Sequence, residues 1–194
     1  ATVTINTSGA LPAHIGKARD LLQGTGTNQP AYSAGALSYD GTDNFMESNA
    51  VASMVQPLTR ISVLTQDSWT LNDYLYDGRA ANSGALYQSA TTPDLVGNAG
   101  TAMTANGDAP VGTKVIVVSQ FNGGSSFTRV NNNANVASAG GAANMLGVSQ
   151  GASGTPGGYG DVTFYEDLSC ESALTDAQID SVVSALASLN SVTL

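Results

Sequence analysis

The run KVIVVSQF, residues 114–121, limits the possible folds more than any other stretch of the chain. β-Branched residues crowd it; they lose rotamer freedom in a helix and pack well on a pleated surface. Such density suits a strand at a sheet centre or one covered on both faces. Asn122-Gly123-Gly124 follows, and residues 126–130 then alternate apolar with polar, which is a hairpin signature. Similar punctuation recurs along the chain. Residues 36–39 (ALSY) stop at the turn dipeptide Asp40-Gly41, and residues 60–65 (RISVLT) are β-branched and alternating. Residues 68–71 and 74–76 read as short strands before Asp77-Gly78, and residues 161–166 (DVTFYE) put Val162 and Phe164 on one buried face.

Only the C terminus reads clearly as helix. Thr175-Asp176-Ala177-Gln178 has the form of a capping box, and Asp176 would sit at the positive end of the helix dipole. Ile179, Val182, Val183, Leu186 and Leu189 then form an apolar stripe that must pack on something. The first 36 residues are broken by Gly9, Pro12, Gly16, Gly24, Gly26 and Pro30, leaving room for one helical turn at residues 17–22. The Gly-, Ala- and Ser-rich residues 137–160 are read as a loop with one short strand at 144–148, because a free linker would leave residues 161–166 without partners. A chain of 194 residues without internal repeats predicts one domain, mostly β, with the helix packed outside the strands.

Composition narrows function. Charged residues make up 11% of the chain, and six Lys and Arg against fifteen Asp and Glu give a net charge of -9. That balance disfavours nucleic acid and attachment to anionic membranes. No apolar run approaches the roughly 20 residues that span a bilayer. One histidine, His14, and one cysteine, Cys170, are too few for a zinc site built from Cys and His, and allow no intrachain disulfide. His14 is read as a loop histidine. Cys170 is read as a buried inert thiol, since no basic neighbour would activate it.

Three fragments, QPAYSAGALSYDGTDNFME at residues 29–47, residues 111–121, and GGYGDVTFYEDLSCESALTDAQIDSVVSALA at residues 157–187, together resemble the concanavalin A-like lectin/glucanase domains, the laminin-G-like jelly rolls found in phage and bacterial surface proteins. QPAYSAGALSYDGTDNFME resembles their N-Q-P-x-Y stretch and the strand ending in F-D-G-T-D-D, with Tyr39 in the Phe position and Asn44 in that of the second Asp. Residues 111–121 resemble a central strand of those domains. GGYGDVTFYEDLSCESALTDAQIDSVVSALA resembles their closing strand and helix, with Gln178 replacing the usual Glu. The resemblance covers most of the chain after about residue 28 and implies an all-β fold: a two-sheet antiparallel jelly-roll sandwich with the C-terminal α-helix packed on it. Residues 1–194 would form a single such domain, with residues 1–27 either a divergent first strand or an extended docking arm.

Enzymes of this fold cut or lyse polysaccharides, but their motifs are missing here. There is no E-x-D-x-x-E strand; Glu166 and Asp167 are adjacent, so they point to opposite faces, and Glu47 and Glu171 form no evident pair with Glu166. No Gln stands two residues before His14, as the lyase motif requires. The expectation is therefore no enzymatic activity. Asp40 and Asp43, with Glu47 nearby, form a candidate structural Ca²⁺ site, the alternative being ordinary turn chemistry; Asp73 and Asp77 are a weaker version of the same pattern. Trp69, Tyr74, Tyr76, Tyr87 and Tyr159 are candidate glycan-stacking rings, the alternative for each being core packing. Asn131–Asn133 and Asn135 suit hydroxyl recognition or turns equally.

The expected function is a non-enzymatic virion surface protein, a capsid decoration or tail appendage, open to host-glycan adhesion. Its partners would be other virion or cell-surface proteins, with polysaccharide and copies of itself as further candidates. Its location would be the virion or extracellular surface. The alternatives are a carbohydrate-binding module of a secreted polysaccharide-degrading system, and a glycanase or lyase of the same fold.

Overall fold

A computed structural model describes residues 21–48 and 53–194. His14 and most of the proposed arm lie outside the described residues. In chain order the first strands are β1 (Leu21–Leu22), β2 (Ala31–Ser33), β3 (Ala36–Asp40), β4 (Met46–Ser48) and β5 (Ser53–Met54). Next come β6 (Leu58–Gln66), β7 (Tyr74–Asp77), β8 (Ser83–Gln88), β9 (Leu95–Ala99) and β10 (Ala102–Thr104). The last are β11 (Lys114–Phe121), β12 (Phe127–Val130), β13 (Met145–Leu146), β14 (Ser149–Gln150) and β15 (Asp161–Cys170), followed by α1 (Asp176–Asn190). Two large antiparallel sheets face each other: one ordered β1-β4-β14-β7-β8-β9-β10, the other β12-β11-β6-β15-β3-β2. A ribbon of β5 and β13 places Met54 and Met145 in the intersheet core.

The six-stranded sheet explains the β-branched runs. β6 and β11 pair along their whole lengths, from Lys114 opposite Thr65 to Phe121 opposite Leu58. Val115, Val117 and Phe121 enter the core between the sheets, whereas Ile116 and Val118 enter a second core under α1. The strand is thus covered on both faces, as its composition predicts. β15 lies on the other side of β6 and carries a bulge between Phe164 and Glu166. Val162 and Phe164 face the intersheet core. The extra residue reverses the phase, so Asp167 pairs with Ser62 on the inner face while Glu166 points outward and is exposed.

α1 closes the outer face of this sheet. Thr175 Oγ1 accepts the Gln178 N–H and the Gln178 side chain accepts the Thr175 N–H, forming the expected capping box. Ile179, Val183, Leu186 and Ala187 are buried against Ile61, Val63, Ile116, Val118 and Phe127. Leu189 is 77% exposed, contrary to the predicted stripe. A helix turns by about 100° per residue, so ten residues past Ile179 the side chain has rotated onto the flank. Ser191 ends the helix in the left-handed conformation, φ 55°.

Three other local readings need correction. Residues 68–71 are not a strand, because side chains hold them: Gln88 Oε1 accepts the Thr70 N–H at 2.8 Å and the Trp69 indole donates to the Ser89 carbonyl at 3.1 Å. Leu21 and Leu22 are strand rather than helical turn, paired with Ser48 and Glu47. Cys170 is exposed, since it ends β15 on the outer face beyond the cover of α1.

Candidate functional site

Among the described residues α1 covers the outside of the six-stranded sheet, and the outside of the seven-stranded one carries no helix. Tyr74 of β7 and Tyr87 of β8 are directly opposed there. Their ring centroids are 5.0 Å apart at an interplanar angle of 36°. Both rings are half-buried. Each hydroxyl meets an asparagine: Tyr74 donates to Asn82 Oδ1 at 2.9 Å, and Asn98 Nδ2 donates to the Tyr87 oxygen at 3.5 Å. Asn82 holds its place through a left-handed backbone, φ 56°, a conformation that Asn tolerates well.

The loop before β15 supplies the edge of this surface. Tyr74 N–H donates to the Gly158 carbonyl at 2.7 Å, and Tyr159 sits beside Tyr74 in an isolated bridge. Gly158 has φ +53°, and a Cβ there would lie 2.7 Å from the Asn72 carbonyl oxygen, so this approach requires glycine. The Tyr159 ring tilts against Phe45 with centroids 6.2 Å apart. The turn after β7 is pinned by Asp77, whose carboxylate accepts the N–H groups of Gly78, Asn82, Ser83 and Gly154. Burial pushes the Asp77 carboxyl upward, opposed by those four hydrogen bonds. Burial, then the charge of Asp77 and the Tyr87 neighbour, also raise the Tyr74 hydroxyl. Tyr74 therefore remains a neutral ring with a polar tip at physiological pH.

The structure brings together Tyr74 and Tyr87 of the predicted aromatic set and bridges Tyr159, in the loop before β15, to Tyr74. It does not bring Tyr76. A register shift between Tyr74 and Tyr76 turns Tyr76 into the intersheet core, where it is fully buried, so it cannot stack on a soluble ligand. Trp69 packs against the same core with its indole N–H taken by Ser89. The sequence reading missed Asn82, Asn98 and Phe45. Asn82-Ser83-Gly84 is a turn-like triplet in the sequence, but nothing in it announces a partner for Tyr74.

Beneath Tyr76 lies a buried polar cluster that the sequence reading also missed. Arg60 is fully buried; its Nε donates to Asp167 Oδ1 at 2.8 Å and its Nη2 to Asp167 Oδ2. Its guanidinium stacks 3.7 Å from the Tyr76 ring centroid. Ser62 and Gln150 also donate to Asp167, and the Tyr39 hydroxyl donates to Gln150 Oε1 at 2.7 Å. Burial drives the Arg60 pKa down, but the Asp167 carboxylate more than offsets it, and Arg60 stays protonated. Burial pushes the Tyr76 hydroxyl up to about 12, and burial and Asp167 raise Tyr39 further. Asp167 is thus committed to Arg60, Ser62 and Gln150.

Asp40 and Asp43 act in a turn. Asp40 Oδ1 accepts the N–H groups of Thr42 at 3.0 Å and of Asp43 and Asn44 at 3.4 Å, and Asp43 Oδ1 accepts from Asn44 Nδ2 at 3.2 Å. Among the described residues no group of three or more His, Cys, Asp or Glu side chains is placed to hold a metal. A calcium ion at Asp40 and Asp43 would therefore take most of its shell from carbonyls and water. Asp73 and Asp77 stand in different roles, with Asp77 given to backbone N–H groups. Among the described residues no helix is long and apolar enough to cross a membrane.

No protein-family model matches the sequence, and no curated protein matches it. Solved structures do resemble the fold. Trypanosoma rangeli sialidase superposes with a TM-score of 0.61 at 12% identity, over 81% of this chain and 28% of the sialidase. A heptameric SAP-like pentraxin from Limulus polyphemus gives 0.58 at 14% identity, over 79% of this chain and 84% of the pentraxin. The binding domain of botulinum neurotoxin DC, solved in complex with SialylT, gives 0.54 at 12% identity, over 81% of this chain and 44% of that domain. At these identities the likeness is one of fold: a lectin-like β-sandwich jelly roll, consistent with the concanavalin A-like architecture.

Proposed function

We propose that this chain is a non-enzymatic glycan-recognition module displayed on a virion or other extracellular surface. The opposed pair Tyr74 and Tyr87, capped by Asn82 and Asn98, carries this reading. Flat rings cover the apolar face of a pyranose, and amides satisfy hydroxyls from both sides as donor and acceptor. The neurotoxin binding domain, solved in complex with SialylT, lends a fold-level parallel, since its chain contains a sandwich of this kind over 44% of its length. The absence of catalysis is supported by the carboxylates themselves: Asp167 is bound to Arg60, Asp77 to four N–H groups, and Glu166 faces the other way. Most glycoside hydrolases use two carboxyl groups facing one bond, sialidases with a tyrosine nucleophile being among the exceptions. A capsid-decoration or tail-appendage role draws on the sequence resemblance to domains of phage and bacterial surface proteins, together with the low charge content.

A glycan array with the intact chain tests recognition. Selective binding of one glycan class, lost in Tyr74→Ala and Tyr87→Ala, is expected. Silence across the array would leave a purely structural role. Sugar release from any bound polysaccharide, abolished by replacing a carboxylate, would overturn the non-enzymatic reading.

A further inference from the structure

Two of the fold neighbours were solved with sialic-acid-type ligands, SialylT for the neurotoxin domain and sialic acid for the sialidase, in chains of which this one spans only 44% and 28%. The distribution of charge in this chain points the other way. We infer that the glycan held against Tyr74 and Tyr87 is uncharged, a neutral oligosaccharide, and that sialylated, uronate or sulfated chains are rejected. The inference rests on the glycan-recognition reading above and specifies its ligand.

An anionic sugar needs a cation or several free N–H donors where its carboxylate lands. Six Lys and Arg are present in the sequence, two of them, Lys17 and Arg19, outside the described residues. Each of the other four is committed. Arg60 is sealed between the sheets on Asp167. Arg129 pairs with Asp180 on α1, on the opposite side of the sandwich. Lys114 lies 3.6 Å from the Tyr165 ring centroid and donates to the Asn190 carbonyl, also on that side. Arg79 alone belongs to the turn that carries Asn82, and Glu47 takes its Nη2 at 3.0 Å while the Ser48 carbonyl takes its Nη1 at 3.0 Å.

Negative charge is present instead. Asp73 precedes Tyr74 directly, and Asp77 closes the same strand with its carboxylate beneath the Asn82 turn. The N–H groups of Gly78, Asn82 and Ser83 in that turn already point at Asp77 and that of Arg79 at the Leu146 carbonyl, so none of these serves an incoming anion. A net charge of -9 adds a repulsive field at a distance. The asparagines beside the tyrosines are neutral: Asn98 is buried with its Oδ1 on the Gly100 N–H, while half-buried Asn82, whose Oδ1 takes the Tyr74 hydroxyl, keeps an amide NH₂ suited to hydroxyl oxygens.

The test compares binding of the wild-type chain to matched lactosamine-type oligosaccharides with and without a terminal sialic acid, at low ionic strength. The uncapped glycan should bind more tightly, on the order of ten-fold, as like-charge juxtaposition is costly. Added salt should narrow the difference by screening. Glu47→Gln, which releases Arg79, should also narrow it without weakening the neutral glycan. Equal or tighter binding of the sialylated form would overturn this inference and leave the recognition reading standing. Binding of neither form, nor of any other glycan on an array, would overturn both.

Discussion

A guanidinium with no solvent exposure survives only where its charge is met. Asp167 meets the charge of Arg60 and binds its Nε and Nη2, and the guanidinium lies over the Tyr76 face, while its buried Nη1 has no hydrogen-bond partner among the described residues. Asp167→Ala would leave a buried, unpaired cation and should cost roughly 3–5 kcal/mol in denaturant unfolding. The double replacement Arg60→Met with Asp167→Leu should recover much of that loss, and a double variant as unstable as the single one would contradict the pairing. The sequence hid this cluster. RISVLT alternates, but the row that includes Leu64 also contains Arg60 and Ser62, and nothing in that run says that both are inside. Asp167 turns inward only because of the bulge after Phe164, which no Gly or Pro marks. The same cause misplaced Tyr76: two residues from Tyr74, it would share its face on a regular strand, and a register shift sends it inside. Cys170 is the plainest case of a wrong burial reading. Its exposure predicts stoichiometric reaction with a thiol reagent in the native protein within minutes, whereas labelling only after unfolding would contradict the structure.

Elements with their own periodicity were legible and those defined by their partners were not. β6, β11, β15 and α1 follow from β-branched runs, alternation and a capping box. β1, β13 and β14 have two residues each and exist because a neighbour pairs with them. α1 gives the sharpest test at this scale. Val183 is 1% exposed, so Val183→Asp buries an unpaired charge and should destabilise the fold by about 2–5 kcal/mol. Leu189→Asp, on the exposed flank, should change stability by less than about 0.5 kcal/mol. Thr175→Ala removes the cap and should cost about 1 kcal/mol. Equal melting temperatures for the Val183 and Leu189 variants would mean that α1 does not dock as described.

Over the described residues the molecule is a stack of seven-stranded sheet, six-stranded sheet and helix, and the chain carries an excess of carboxylates. The sequence resemblance anticipated the sandwich and the position of the helix. It did not anticipate the pairing of Tyr74 with Tyr87 across β7 and β8, because that depends on the register shift in β7. Charge adds a pH dependence. Burial, with the charge of Asp161, raises Asp67 and Asp73 above the ordinary 3.8, against single hydrogen bonds from Thr163 and Thr70. Burial raises Asp77 as well. A carboxyl raised on folding binds its proton more tightly in the native state, so its contribution is full below 3.8 and is lost as pH rises through the raised value. The melting temperature should therefore rise as pH falls from neutral into the range just above 3.8, and Asp67→Asn with Asp73→Asn should flatten that rise.

Isothermal titration of the chain with the strongest glycan from an array tests the central claim most directly, run on wild type, Tyr74→Ala, Tyr87→Ala and Tyr76→Phe. The tyrosine pair predicts a loss of roughly 1–3 kcal/mol of binding for each alanine variant and unchanged affinity for Tyr76→Phe, with all four proteins folded. Undiminished binding by both alanine variants would place recognition elsewhere and contradict the account.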